Sequence, residues 1–122
     1  MPVEKKQIYI VDDDESICRA LKYLLMTFGF EVSTFLSAET FFDAVPDSVK
    51  GCLVLDVHMP GLDGWEALRR IIKSGSKRPV IIISADKNGG GMREQTLKAG
   101  AVGFLQKPFD DQKLIDMINL TF

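Results

Sequence analysis

Residues 11–16 read Val-Asp-Asp-Asp-Glu-Ser, four consecutive carboxylates behind the apolar run Ile8-Tyr9-Ile10-Val11. Carboxylates this close repel and raise one another's pKa, so the cluster is unfavourable unless a cation sits beside it. Three more groups stand in the same relation to an apolar run. Asp56 follows Leu53-Val54-Leu55, Ser84 follows Val80-Ile81-Ile82-Ile83, and Lys107 follows Gly103-Phe104-Leu105-Gln106. Several carboxylates without a Cys/His cluster make a hard oxygen site, which suits Mg²⁺ (or Mn²⁺). A divalent cation would offset the repulsion and leave coordination positions for phosphate oxygens. A lysine and a hydroxyl beside it would hold the remaining oxygens. The set suits phosphoryl transfer, where positioning and charge neutralisation do most of the catalysis. No Gly-rich phosphate loop opens a helix, so ATP is not the expected donor.

These groups meet only if the elements before them share one edge. Short apolar runs alternate with helical patterns along the whole chain. Ile8–Val11 reads as a strand. Ser16 to Phe28 carries Ile17, Leu21, Leu24, Leu25 and Phe28 at helical spacing and stops at Gly29. Glu31–Phe35 alternates weakly, as a second strand. Ser37 caps a short helix through Val45 with Phe41 and Phe42 inward. Leu53–Leu55 is a third strand. The Pro/Gly segment 59–64 leads into a helix from Trp65 to Lys73 with Trp65, Leu68, Ile71 and Ile72 as its apolar face. Val80–Ile83 is a fourth strand. Asp86 to Gly91 is a loop, and its three glycines make it an expected mobile segment. A helix with a thin apolar face runs from Met92 to Ala99. Gly103–Gln106 is a fifth strand, and Asp110 to Leu120 a last helix with Leu114, Ile115 and Ile118 inward.

The order βαβαβαβαβα, with strands apolar enough to be buried on both faces, predicts an α/β fold. It is a (βα)5 doubly wound parallel sheet of five strands covered by helices on both faces. Such sheets bind at the carboxyl ends of their strands, near the point where strand order reverses. Asp12 to Glu15, Asp56, Ser84 and Lys107 all fall there. The second strand ends on Phe35-Leu36-Ser37 and adds no comparable group, as an edge strand would. Within the acidic run, Asp14 and Glu15 read as the solvated opening of a helix, where negative charge is favoured.

The 122 residues suit one domain, are 46% apolar and 26% charged, and carry a net charge of −2. That balance gives no global attraction to nucleic acid or to an anionic membrane. No apolar run approaches the roughly 20 residues of a membrane span. The N-terminus lacks a signal-peptide core, and Cys18 and Cys52 have neither metal nor redox spacing. They read as small buried hydrophobes in a cytoplasmic protein.

VDDDES after the first strand, LVLDVHMPGLDG around Asp56, IIISA at the end of the fourth strand, and AGAVGFLQKPF near the C-terminus together resemble the receiver domain of two-component response regulators. The resemblance covers essentially all of residues 1–122. It implies the flavodoxin-like strand order 2-1-3-4-5. It implies that Asp56 is the phosphoacceptor for a histidine kinase or histidine phosphotransfer protein. Asp13 would ligate the metal directly, Asp12 mainly through water, and Asp56 and the His58 backbone carbonyl would complete the protein's ligands. Ser84 would bond a phosphoryl oxygen after transfer. Lys107 would pair with Asp56 before it and with the phosphoryl group after it. Pro108 would follow Lys107 across a cis peptide. Phe104 takes the position of a switch aromatic, packed in the core in either state. His58 and Asp86 sit where the lifetime of the acyl phosphate is tuned.

The resemblance also implies a surface of the fourth helix, fifth strand and fifth helix that passes the signal to an output domain or target protein. It allows a phosphorylation-dependent dimer. Such a chain promotes its own phosphorylation and slow dephosphorylation, yet is not a turnover enzyme on a small substrate. Three other readings compete. A haloacid-dehalogenase-like phosphatase needs a second Asp where His58 stands, and a cap. An FMN carrier of the same architecture needs a phosphate loop where the acidic run stands. A receiver fold used purely as an interaction module would not need all the site residues.

Overall fold

The structure is a computed structural model that describes residues 6–57, 64–85 and 90–122, with only the backbone at 90–92. Among the described residues, five strands alternate with five helices. The strands are β1 (Gln7–Val11), β2 (Glu31–Phe35), β3 (Cys52–Asp56), β4 (Val80–Ser84) and β5 (Gly103–Gln106). The helices are α1 (Glu15–Thr27), α2 (Ala38–Ala44), α3 (Gly64–Lys73), α4 (Gly90–Lys98) and α5 (Asp111–Asn119). The strands form one parallel sheet in the order β2-β1-β3-β4-β5. Strand order therefore reverses between β1 and β3, and the β1–β3 register pairs Val11 with Leu55. The residues that follow, Asp12 and Asp56, are thereby set side by side.

The two-residue period of the strands sorts the core into two halves. Val11, Leu53, Leu55, Ile82 and Phe104 face one side, with Phe41 of α2 and Leu68 and Ile71 of α3. Ile8, Ile10, Val54, Ile81 and Ile83 face the other, with Leu21 and Leu25 of α1 and Leu114, Ile115 and Ile118 of α5. None of the described helices is long and apolar enough to cross a membrane.

Among the described residues, side-chain caps start three helices, and the one at Ser37 is the cap the sequence predicts. Ser37 accepts the Thr40 N–H at 3.1 Å, and Asp110 accepts the Gln112 N–H at 2.9 Å. Asp14 accepts the Ser16 and Ile17 N–H groups at 2.9 and 3.3 Å, so it opens α1 beside the exposed Glu15. At the other end of α1, Gly29 (φ +88°) donates to the Met26 carbonyl and Phe30 to that of Leu25. This left-handed turn at Gly29 is what corrects one expectation. Phe28, read as part of the apolar face, is the C-cap and 53% exposed, and Phe30 beyond the turn is buried instead. The exchange follows from the turn, whose second residue packs back on the last helical turn.

Two further expectations change. Ile72 is exposed rather than inward, because Ala67, Leu68 and Ile71 already fill the buried stripe of α3. Its side chain lies over Gly100 at the end of α4 instead. And α4 begins at Gly90 rather than Met92. Its first two residues are glycines in the turn whose N–H groups have no intrahelical partner, where weak helix formers disturb least. Residues 86–89, including most of the segment expected to be mobile, lie outside the described residues. The described side chains of α4 include one buried residue, Thr96, as its thin apolar pattern predicts. Trp65 and Phe42 are half-buried at the rim of the core.

Candidate functional site

β1, β3, β4 and β5 bring the residues behind them to one edge of the sheet. Asp12 is fully buried, Asp56 is 4% exposed, and Asp13 is open to solvent. One carboxylate oxygen from each of these three lies within 4.8 Å of the others. The donor set is all oxygen, partly buried and open on the Asp13 side. It therefore fits a hard divalent cation that keeps waters of its own.

Each carboxylate is held differently. Asp12 Oδ1 accepts the Asp14 N–H at 2.9 Å, and Asp12 Oδ2 accepts a hydrogen bond from Lys107 Nζ at 2.7 Å. The same ammonium lies 3.4 Å from Asp56 Oδ2. Lys107 thus bridges the two buried carboxylates, with Asp12 the nearer partner. The expected pairing with Asp56 is present but longer, and the contact with Asp12 adds to it. Burial pulls the Lys107 pKa down, but the hydrogen bond and charge of Asp12, with the charge of Asp56, outweigh it. The net effect is a raised pKa and a firmly protonated ammonium.

The backbone of this corner is fixed by ladder bonds that outlast the strands. The Lys107 N–H donates to the Ser84 carbonyl at 2.7 Å, and the Val57 N–H to that of Ile83 at 3.2 Å. The Asp12 N–H donates to the Phe35 carbonyl at 3.1 Å, which is how the edge strand β2 contributes. Ser84 is buried at the end of β4, opposite Gln106 in register. The Lys107–Pro108 peptide is cis, as expected. Phe104 is buried beside Ile82 in register, so its core packing is as expected. His58 and Asp86 lie outside the described residues, and with them the carbonyl ligand and the tuning positions.

One neighbour of the site is not evident from spacing alone. Cys18, on the buried face of α1, donates its S–H to the Asp12 carbonyl at 3.3 Å. Burial first, then the charge of Asp12, pushes its pKa up to about 11. Its sequence signal is only a cysteine on the inward stripe of the first helix. Here it packs under the backbone that carries the acidic pair and stays a neutral thiol.

Comparison with known proteins agrees with this geometry. The sequence model of the response regulator receiver domain matches residues 8–119. The transcriptional regulatory protein FixJ of Bradyrhizobium diazoefficiens is 42% identical over 114 residues, which are 93% of this chain and 55% of that protein. The response regulator protein TodT of Pseudomonas putida is 40% identical over 114 residues, 91% of this chain and 48% of that one. Among solved structures, the N-terminal part of FixJ superposes with a TM-score of 0.85 at 36% identity, covering 96% of this chain and 93% of that one. The response regulator StyR superposes with a TM-score of 0.87 at 39% identity, covering 96% and 59%. This chain spans about half the length of the curated relatives it matches. With the sheet order, the edge on which the carboxylates gather and these relatives all in agreement, the chain belongs to the family of response regulator receiver domains.

Proposed function

We propose that residues 1–122 form one receiver unit in which Asp56 accepts a phosphoryl group from a phosphohistidine on a sensor kinase or phosphotransfer protein. The observation that carries this reading is the bridging of Asp12 and Asp56 by Lys107 at 2.7 and 3.4 Å beside the exposed Asp13. In the transfer, an Asp56 carboxylate oxygen forms a bond to phosphorus while the phosphorus–nitrogen bond of the donor breaks. The imidazole keeps that electron pair and takes a proton from solvent. Asp12, Asp13 and Asp56 would hold Mg²⁺ or Mn²⁺, which supplies positive charge toward the phosphoryl oxygens.

Lys107 then has one more anion to face, and moving its ammonium from the carboxylates to the phosphoryl group keeps the rim neutralised. Ser84 would donate its hydroxyl to a second phosphoryl oxygen. Phosphorylation adds charge and acceptor oxygens at the ends of β3 and β4. If Ser84 follows them, Phe104 has space to turn, and the surface of α4, β5 and α5 shifts between two packings. A histidine kinase partner and an output domain follow from family membership, and the switched surface is where the output domain or a second copy would read the state. In keeping with its family, the domain is proposed to act in the cytoplasm. FixJ is named a transcriptional regulator. In a longer protein of that kind, the receiver, at net charge −2, would leave nucleic acid to another domain.

The test is incubation with Mg²⁺ and acetyl phosphate, followed by intact mass and Trp65 fluorescence. Wild type should gain one phosphoryl group and Asp56→Ala none. An unmodified wild type, or an equal adduct on Asp56→Ala, would sink the proposal.

A further inference from the structure

The first residue of α3 touches the peptide that carries the candidate phosphoacceptor. A Cβ added to Gly64 would overlap Val57 Cα and stand 2.5 Å from the Asp56 carbonyl oxygen and 2.9 Å from Val57 N. All three are backbone atoms, so no side-chain rotation relieves the overlap. The Gly64 φ lies outside the left-handed region, so conformational freedom is not the reason for glycine here. Close approach is. The Gly64 N–H also donates to the Val57 carbonyl at 3.3 Å, which ties the start of the helix to the end of the strand.

What would yield to a methyl group is decided by the surroundings. α3 is pinned through Ala67, Leu68 and Ile71, all 1% exposed or less. On the strand side, Asp56 pairs with Ile83 in register, and Val57 beyond it is 2% exposed in the core it shares with Ala67, Leu68 and Ile71. Both sides are packed, so the overlap is divided between them, and the part taken by the Asp56–Val57 peptide carries the Asp56 carboxylate with it. That carboxylate shares a 4.8 Å cluster with Asp12 and Asp13 and reaches Lys107 at 3.4 Å. A displacement of a few tenths of an ångström is a sizeable part of those tolerances.

We infer that Gly64 is a positioning residue for Asp56: its missing side chain seats α3 on the Asp56–Val57 peptide and holds the carboxylate in register with Asp12, Asp13 and Lys107. The inference rests on the phosphoacceptor reading and names a residue through which that site is set.

Gly103 provides a steric control. An added Cβ there meets the Met117 side chain, a flexible group away from the carboxylates. Gly64→Ala and Gly103→Ala are compared with wild type by thermal unfolding, by calorimetric titration with Mg²⁺ and by acetyl phosphate labelling. Both variants should lose stability. Only Gly64→Ala should weaken Mg²⁺ binding, by about tenfold or more, as loss of a supporting group does at metal sites, and slow labelling in parallel. If Gly64→Ala does not fold in buffer, all three proteins are measured in trimethylamine oxide, which favours the compact state. Unchanged Mg²⁺ affinity in folded Gly64→Ala, or an equal loss in Gly103→Ala, overturns the inference while leaving Asp56 as acceptor. A wild type that neither binds Mg²⁺ nor takes the phosphoryl group overturns both.

Discussion

Replacing Lys107 by Met removes the ammonium and keeps most of the apolar stem. In wild type, Nζ stands 2.7 Å from Asp12 Oδ2 and 3.4 Å from Asp56 Oδ2. At an effective dielectric constant of about 20, those separations correspond to gross attractions of roughly 6 and 5 kcal/mol. Desolvating three charged groups cancels much of that, but the carboxylates stay buried when the lysine is lost. Breaking a buried pair from one side costs about 3 kcal/mol or more. For a domain of this length, 1 kcal/mol moves the midpoint of thermal unfolding by about 4 °C, so Lys107→Met should melt roughly 12 °C lower without divalent cation. One consequence distinguishes this origin from lost packing. Mg²⁺ should raise the midpoint of Lys107→Met more than that of wild type, because the ion no longer meets an ammonium at the same carboxylates. Scanning calorimetry of both proteins, with and without Mg²⁺, reads both effects. A variant that melts with wild type, or the same Mg²⁺ increment in both, refutes the reasoning.

Two other outcomes are expected. Arg78 is buried at the opposite end of the sheet, and its Nη2 donates to the carbonyls of Pro46 and Val49 at 2.9 and 2.6 Å. Its guanidinium lies 5.5 and 5.2 Å from the rings of Tyr9 and Phe41. Arg78→Ala takes a donor from both carbonyls, leaving Pro46 the Val49 N–H at 3.0 Å, and uncovers both rings, so urea unfolding should show a loss of about 2 kcal/mol or more; a loss within error would mean that the loop before β3 is held by other contacts. Burial, the largest cause at both sites, raises the pKa of Cys18 and Cys52 from 9.0 to about 11. The folded state therefore keeps thiol protons that the unfolded chain releases, so the thiols' contribution to stability is full below pH 9 and is lost between about 9 and 11. The raised Lys107 pKa extends that loss above 10.5. Urea midpoints against pH should show the fall, and a Cys18→Ala, Cys52→Ala chain with the same slope would refute its assignment to the thiols.

Much of the site is legible in the sequence because a parallel sheet has one chemical edge. Once Ile8–Val11, Leu53–Leu55, Val80–Ile83 and Gly103–Gln106 are recognised as strands, Asp12, Asp56, Ser84 and Lys107 must converge there. The bounds of β2 and β5 agree residue for residue with the alternation and the apolar run that predict them. Ser37 caps α2 as expected because a cap is a local bond, made within four residues. Phe28 and Ile72 were misplaced for the opposite reason: helical spacing names a stripe but does not say how wide it is or where the turn after it leads.

Local pattern and a parallel sheet were therefore enough to say which groups gather at one edge and what chemistry they suit, while the strand order came from the family resemblance. Tertiary structure alone decided how they are paired. Lys107 sits nearer to Asp12, behind β1 three places away from β5, than to Asp56 on β3, two places away. Cys18 lies under the acidic pair, and Gly64 presses on the peptide of Asp56. These are separations of a few ångströms between elements far apart in sequence. They are set by sheet twist and by how closely helices pack on it, quantities that no residue type or spacing encodes by itself.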